Sequence, residues 1–398
     1  MVLNLQPAKV RVSAIFELRQ ECQPKFIDRG SFTHSSPVSK NVRTSMLEDK
    51  AFVNLQFFKE GGSNMIFSIH MDPAYQECTE QLKFYLEGRL LRLPKKGRES
   101  KTLEKHVASI LGNNYVIKHE ACIVDSGIIS QLNTCLEQLK CCTPKLRRYE
   151  EISVSCDYSQ GPYWLVTDMR AREDKGQVMV HFKPKWLAQS LSAPNTARRC
   201  RTCALQASQR AGRTTTHCPL SLVSGEKRFV NKEILAILET EQQVGAGVTK
   251  DIEGAITQFF YRDGVGFDIL QKLRVLQEEN DPDGIIKFIE RYYNSDKRSY
   301  TKLEAISRAM TMRDCSLYIL LRPREGDGYD IEARLGDLDV KVPEPGSHLV
   351  EERTEEKLQK WAAAEQRLID GGWYTGTEEL QPGEERHRSC ILWEHSTE

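Results

Sequence analysis

Apolar and polar positions along the chain change period as the sequence proceeds. Alternating apolar residues over Phe52 to Phe58 and Met65 to Ile69, separated by Gly61 and Gly62, predict a hairpin with a glycine tip. Gly88 to Leu93 predicts a third strand, with Arg92 between leucines and Pro94 ending it. The period then lengthens: Leu103, Val107, Ile110 and Leu111 predict a helix over Ser100 to Leu111, with Gly112 as its stop. Ile128 to Leu139 predicts another helix, and Tyr163 to Asp168 and Val178 to Phe182 predict strands. Beyond these the pattern is mainly helical, over Glu233 to Leu238, Val265 to Gln277, Ile285 to Tyr293 and Tyr300 to Met312. Two strands interrupt it, Ser316 to Leu321 and Tyr329 to Leu335, before a helix from Glu355 to Asp370 that Thr354 is placed to cap. No internal repeat is evident. The expected class is α+β, with antiparallel strands first and a larger, mainly helical part after them.

Length and composition narrow the classes. The 398 residues are too many for a disulfide mini-protein, and 39% apolar with 28% charged content is too balanced for wholesale disorder. No stretch reaches the roughly 20 consecutive apolar residues of a membrane span, and the first residues lack a signal peptide's apolar run and cleavage site. The chain therefore reads as soluble and intracellular, in nucleus or cytoplasm, with mostly reduced thiols among its 12 cysteines. Residues 1–48 mix Pro, Ser, Lys and Arg and are expected to be weakly ordered.

Net charge is zero, but its signs are segregated. From Lys175 through Gly225 there is no acid, against Lys175, Lys183, Lys185, Arg198, Arg199, Arg201, Arg210 and Arg213; from Glu325 to the end there are nineteen acids against eight bases. A dense basic window calls for an anion, and the acidic segment offers carboxylates for a metal ion. A solvated basic face balanced by an acidic tail is the plainer alternative.

Within this frame a few groups have the residue types of phosphate chemistry. Backbone amides of Gly61, Gly62, Ser63 and Asn64 can approach phosphate oxygens, although a diglycine turn is commonly just a turn. Lys183 and Lys185 flank Pro184 at a strand end, where two ammonium groups can hold a phosphoryl group or simply guard an edge. Asp314, Asp337 and Asp339 border the two late strands, so a hairpin there brings three carboxylates to one end, with Lys341 beside them, although acids in turns are common in any case. Cys200 and Cys203, followed by His217 and Cys218, have the ligand types of a zinc site or are ordinary thiols in a basic loop.

Taken in order, FKEGGSNMIFSI (58–69), GRLLRL (88–93), LVTDM (165–169), VHFKPKW (180–186), RRCRTCAL (198–205), HCPLSLVSGEK (217–227), AMTMRDCSLYI (309–319) and LGDLDVKV (335–342) resemble the inositol-pentakisphosphate 2-kinases, particularly fungal members. The resemblance implies a two-lobed, kinase-like fold of the inositol-phosphate kinase type. Its N-lobe would span 49–170 and its C-lobe 171–398, the latter with a hairpin carrying the metal site. The implied activity is transfer of the ATP γ-phosphate to the 2-hydroxyl of inositol 1,3,4,5,6-pentakisphosphate with Mg2+, giving phytate. By block matching, Asp314 is the base, Lys183 contacts the transferring phosphate, and Asp337 and Asp339 bind magnesium. Gly61, Gly62, Ser63, Asn64, Arg92, Asp168 and His181 would surround ATP. Arg147 or Arg148, Lys185, Arg201, Arg210, Lys341, Lys357 and Trp361 would meet substrate; Zn2+ at Cys200, Cys203, His217 and Cys218 is an expectation from ligand type and spacing alone. His181 and Ser221 stand where the family blocks carry glutamate and aspartate. A relative that binds inositol phosphate as a structural or regulatory ligand is therefore the second reading. A nucleic-acid-binding module is a third, disfavoured by the lack of aromatic-interleaved basic motifs. A monomer without membrane partners is expected.

Overall fold

The computed structural model describes residues 13–17, 52–60, 64–71, 85–95, 101–124, 126–142, 153–154, 163–209, 217–240, 249–294, 300–341, 348–379 and 390–396. The fold is α+β with antiparallel sheets. Two compact units divide the chain: Met1–Ser100 with His119–Asp168, and Lys101–Lys118 with Met169–Glu398.

The first unit is a closed antiparallel barrel in the order β1-β2-β3-β4-β6-β5, built from β1 (Ser13–Glu17), β2 (Phe52–Glu60), β3 (Asn64–Met71), β4 (Arg89–Pro94), β5 (His119–Val124) and β6 (Tyr163–Thr167). Alternation along β2 and β3 sends Leu55, Met65 and Phe67 inward, and Leu91, Leu93 and Leu165 join them. Helix α2 (Ser126–Cys142) adds Ile128, Ile129, Leu132 and Leu136, whose 1-4-8 spacing is one helical face. Two strands were not expected. β5 lies in a stretch without clear alternation, and β1 falls within the segment expected to be weakly ordered. Each is specified by its neighbours: β1 pairs with β2 (Ser13↔Asn54) and with β5 (Phe16↔Val124), closing the barrel and removing both free edges.

The second unit carries a three-stranded antiparallel sheet, β7 (Val178–Phe182), β8 (Ser316–Pro323) and β9 (Tyr329–Gly336), in that order. Its helices are α1 (Glu104–Leu111), α3 (Arg201–Ser208), α4 (Pro219–Val223), α5 (Lys227–Thr240), α6 (Lys250–Phe260), α7 (Val265–Glu279), α8 (Ile285–Asn294), α9 (Tyr300–Met312), α10 (His348–Asp370) and α11 (Ile391–His395). One core joins Val180, Phe182, Leu317, Ile319 and Leu335 of the sheet to Val107 and Leu111 of α1, Ile234 of α5, Ile256 of α6 and Leu273 of α7. Residues 101–118 thus belong here and not with the 49–170 segment, because α1 buries its apolar face in this core and Leu103 N–H donates to the Leu338 carbonyl at 2.9 Å.

Two sequence expectations change. The short α3, α4 and α11 lie where the sequence predicts no helix, and so does α6, although Thr249 caps it and Ile252, Ile256 and Phe260 keep helical spacing; Gly254 in its middle lowers local propensity. Thr354 caps nothing, since α10 already begins at His348 and Thr354 is buried within it.

Candidate functional site

The register of the second sheet builds the site. Pairing of Phe182 with Leu317 ends β7 beside the start of β8, so Lys183-Pro184-Lys185 faces Asp314, which follows the last turn of α9. Lys183 Nζ donates to both the Asp314 carbonyl and its Oδ1 at 3.0 Å, and Lys185 Nζ reaches the same Oδ1 at 3.2 Å. The chain leaving β9 returns Lys341, whose Nζ lies 2.8 Å from Oδ2. Thr311, fully buried on α9, accepts the Lys341 N–H at 3.2 Å and so fixes that return.

The Asp314 side chain remains 39% exposed, so this centre is open to a solute. Burial alone would raise its pKa. The hydrogen bond and charge of Lys341, then the charges of Lys185 and Lys183, outweigh burial and hold the carboxyl well below the usual carboxylate range. Asp337 stands at the end of β9 in the left-handed region (φ 56°), and its Oδ2 accepts from Ser316 Oγ at 2.6 Å. Asp339 pairs through its backbone with Thr102. The hairpin therefore brings Asp337 and Asp339 to the strand end that Asp314 borders.

The remaining expected substrate residues fare unequally. Lys357 donates to the Lys341 carbonyl, which puts it at the centre's margin. Arg201 Nε pairs with buried Glu365 at 3.2 Å, and its guanidinium lies 5.0 Å from the Trp186 ring centre. Trp361 is a packing residue here, half-buried against the cluster of Ile285, Tyr292, Leu303 and Leu358. His181 stacks on Tyr318 with ring centres 4.5 Å apart, and Ser221 is buried in α4.

In the barrel, Asn64 opens β3 and is 4% exposed. Arg92 projects from β4 with Nη1 2.6 Å from His119 Nε2, and Asp168 N–H donates to the Gly88 carbonyl at 2.8 Å. Gly61, Gly62, Ser63, Arg147, Arg148 and Arg210 lie outside the described residues.

The expected zinc ligands are corrected in one position. Sulfurs of Cys200, Cys203, Cys218 and Cys390 all lie within 4.8 Å of one another, and all four residues are buried. His217 is not among them, because its Nδ1 faces the carboxylate of buried Glu233, which also accepts the Cys218 N–H at 2.8 Å. Among the described residues this is the group of three or more possible ligands that converges. The Cys218 and Cys390 sulfurs are 3.9 Å apart, close to the about 3.8 Å edge of a tetrahedron with 2.3 Å Zn–S bonds. Hydrogen bonds from Cys200, Cys203 and Cys390 pull the Cys218 thiol below its ordinary range, whereas hydrogen bonds within the cluster and burial hold the Cys200 and Cys203 thiols above theirs.

The sequence profile of the family described as inositol-pentakisphosphate 2-kinase matches residues 57–357. The chain belongs to the inositol-pentakisphosphate 2-kinase family. A curated relative from Yarrowia lipolytica, named inositol-pentakisphosphate 2-kinase, is 31% identical over 195 residues. That similarity takes in 49% of this chain and 53% of the relative, so the matched segment spans about half the length of each.

The lysine and aspartate centre falls inside the region matched by the kinase family, whereas Cys390 and Glu378 lie beyond it. Glu378 neutralises Arg199 at 2.8 Å with both side chains fully buried, and Arg199 also donates to the Trp373 carbonyl. Sequence reasoning missed Cys390 because a lone cysteine carries no spacing signal. It missed Glu365 and Gln277 because acids and amides at helical positions look like solvated ones, and Glu378 because an acid in the irregular segment after α10 carries no pattern at all.

Proposed function

We propose that this member of the family transfers the γ-phosphate of ATP to the 2-hydroxyl of inositol 1,3,4,5,6-pentakisphosphate, giving inositol hexakisphosphate. The observation that carries this reading is the convergence of the Lys183, Lys185 and Lys341 ammonium groups on one half-exposed carboxylate, Asp314. Multiply phosphorylated substrate replaces that carboxylate as the lysines' partner, leaving Asp314 free to accept the hydroxyl proton. The 2-hydroxyl oxygen then bonds to the γ-phosphorus as the bond to the β–γ bridging oxygen breaks, and ADP leaves.

Asp337 and Asp339 offer the carboxylate oxygens that magnesium prefers and would hold it. When bound, the ion neutralises charge on the phosphate oxygens. On this reading Asn64, Arg92 and Asp168, together with Gly61, Gly62 and Ser63, contact the nucleotide. Arg147 or Arg148, Arg201, Arg210 and Lys357 supply further cations to the inositol phosphates. The four-cysteine cluster fits a structural zinc ion, since it is closed, buried and all sulfur.

The test is transfer of labelled phosphate from ATP to the pentakisphosphate with magnesium, run beside Asp314→Ala. Hexakisphosphate formed by the wild type and lost in the variant supports the assignment. A wild type that binds the pentakisphosphate without turnover supports the alternative of a binding protein, to which the stacking of His181 on Tyr318 in place of a carboxylate would contribute.

A further inference from the structure

Lys185 is one of two non-glycine residues with positive φ among those described, at 60°. Side chains with a Cβ rarely adopt that conformation, and it persists only where the surroundings over-determine it. One buried side chain supplies three of the hydrogen bonds that do so here. Gln277 on α7 is 1% exposed, and its carboxamide directs both N–H donors and its oxygen at the lysine segment and its neighbour. Nε2 donates to the Lys185 carbonyl at 2.8 Å and to the Met312 carbonyl at 3.3 Å, while Oε1 accepts the Leu187 N–H at 3.0 Å. Met312 ends α9 two residues before Asp314, so one amide joins the backbones that carry both members of the Lys185–Asp314 pair. The residue between the two clamped positions is fixed as well. The Trp186 ring lies 3.7 Å from the Arg313 guanidinium, which pairs at 2.6 Å with buried Asp281.

We propose that Gln277 is a positioning residue for substrate phosphate: its carboxamide holds the left-handed turn that aims the Lys185 ammonium into the Asp314 centre. This rests on the function proposed above. No other side chain of similar size substitutes, because glutamate cannot donate to two carbonyls when ionised and methionine offers neither donor nor acceptor of comparable strength. Without the clamp Lys185 relaxes to negative φ and its ammonium leaves the cluster, while the barrel residues assigned to the nucleotide are untouched.

The experiment compares wild type, Gln277→Met and Gln277→Ala with Leu273→Ala, a core change one turn earlier on α7 that removes packing but no hydrogen bond. Two readouts are taken on the full chain: amide hydrogen exchange at Leu187, and calorimetric affinity for inositol 1,3,4,5,6-pentakisphosphate and, separately, for ATP. The expected result is faster Leu187 exchange and an about tenfold or greater loss of pentakisphosphate affinity in both Gln277 variants, with ATP affinity unchanged. Leu273→Ala should lose thermal stability yet keep the ratio of the two affinities. Unchanged Leu187 exchange or unchanged pentakisphosphate affinity in Gln277→Met overturns the proposal, as does an equal loss for both ligands that Leu273→Ala reproduces. If the wild type binds no pentakisphosphate while Leu187 exchange still depends on Gln277, the clamp stands and the substrate assignment falls.

Discussion

Three ammonium groups around Asp314 do two opposed things. They keep it ionised, and they leave it a poor base until phosphates draw them away. Asp314→Asn should therefore separate the two roles. Turnover is expected to fall about 10²- to 10⁴-fold, as for loss of a general base. Affinity for the pentakisphosphate should hold or rise, because the lysines lose a competing anion; weaker binding measured by calorimetry would contradict the geometry. The pH dependence follows from the same pairing. With its folded pKa depressed, Asp314 contributes stability that is complete above the unfolded value of about 3.9 and is lost as pH falls through the folded one. Between about pH 5 and 8 it does not titrate in the free protein, so an acid limb in kcat/KM over that range should persist unshifted when a conservative change removes one of the lysines.

At the scale of elements, the ends of α3, α4 and α11 meet in the cysteine cluster, and the turn after α10 is locked by Arg199. Elemental analysis of the purified protein should find one zinc per chain. Cys390→Ser should lose it, whereas His217→Gln should keep it, since His217 faces Glu233 and not the sulfurs. Retention of zinc by Cys390→Ser would remove Cys390 from the site. The Arg199–Glu378 pair is buried on both sides, so Glu378→Ala strands a guanidinium and should cost about 3–5 kcal/mol in urea denaturation. Periodicity made α1 and α7 readable beforehand, because Val107 with Leu111 and Leu270 with Leu273 repeat at helical spacing whatever they pack against, whereas the short α3, α4 and α11 carry no such run. It could not show that β1 and β5 are strands, since their partners rather than their own alternation specify them.

For the whole molecule, the division into two units has a consequence for any core substitution. Val107 is fully buried among residues of the second unit although the first unit's chain flanks it on both sides in sequence. Val107→Ala should cost about 2 kcal/mol and raise hydrogen exchange in β8 and α7, leaving β2 to β4 protected; loss of protection in the barrel strands instead would contradict the assignment of α1. Among the described residues no helix is long and apolar enough to cross a membrane. The sequence by itself determined the α+β class and most helices and strands through local periodicity, and short blocks such as Lys183-Pro184-Lys185 named the residues of the lysine and aspartate centre through the family resemblance they carry. Only the tertiary structure decided that Cys390 replaces His217 among the sulfurs, that residues 101–118 join the second core, and that Gln277 clamps Lys185. Each of those depends on which distant surface a side chain is buried against, and contact across 90 or more residues leaves no periodic trace in the chain.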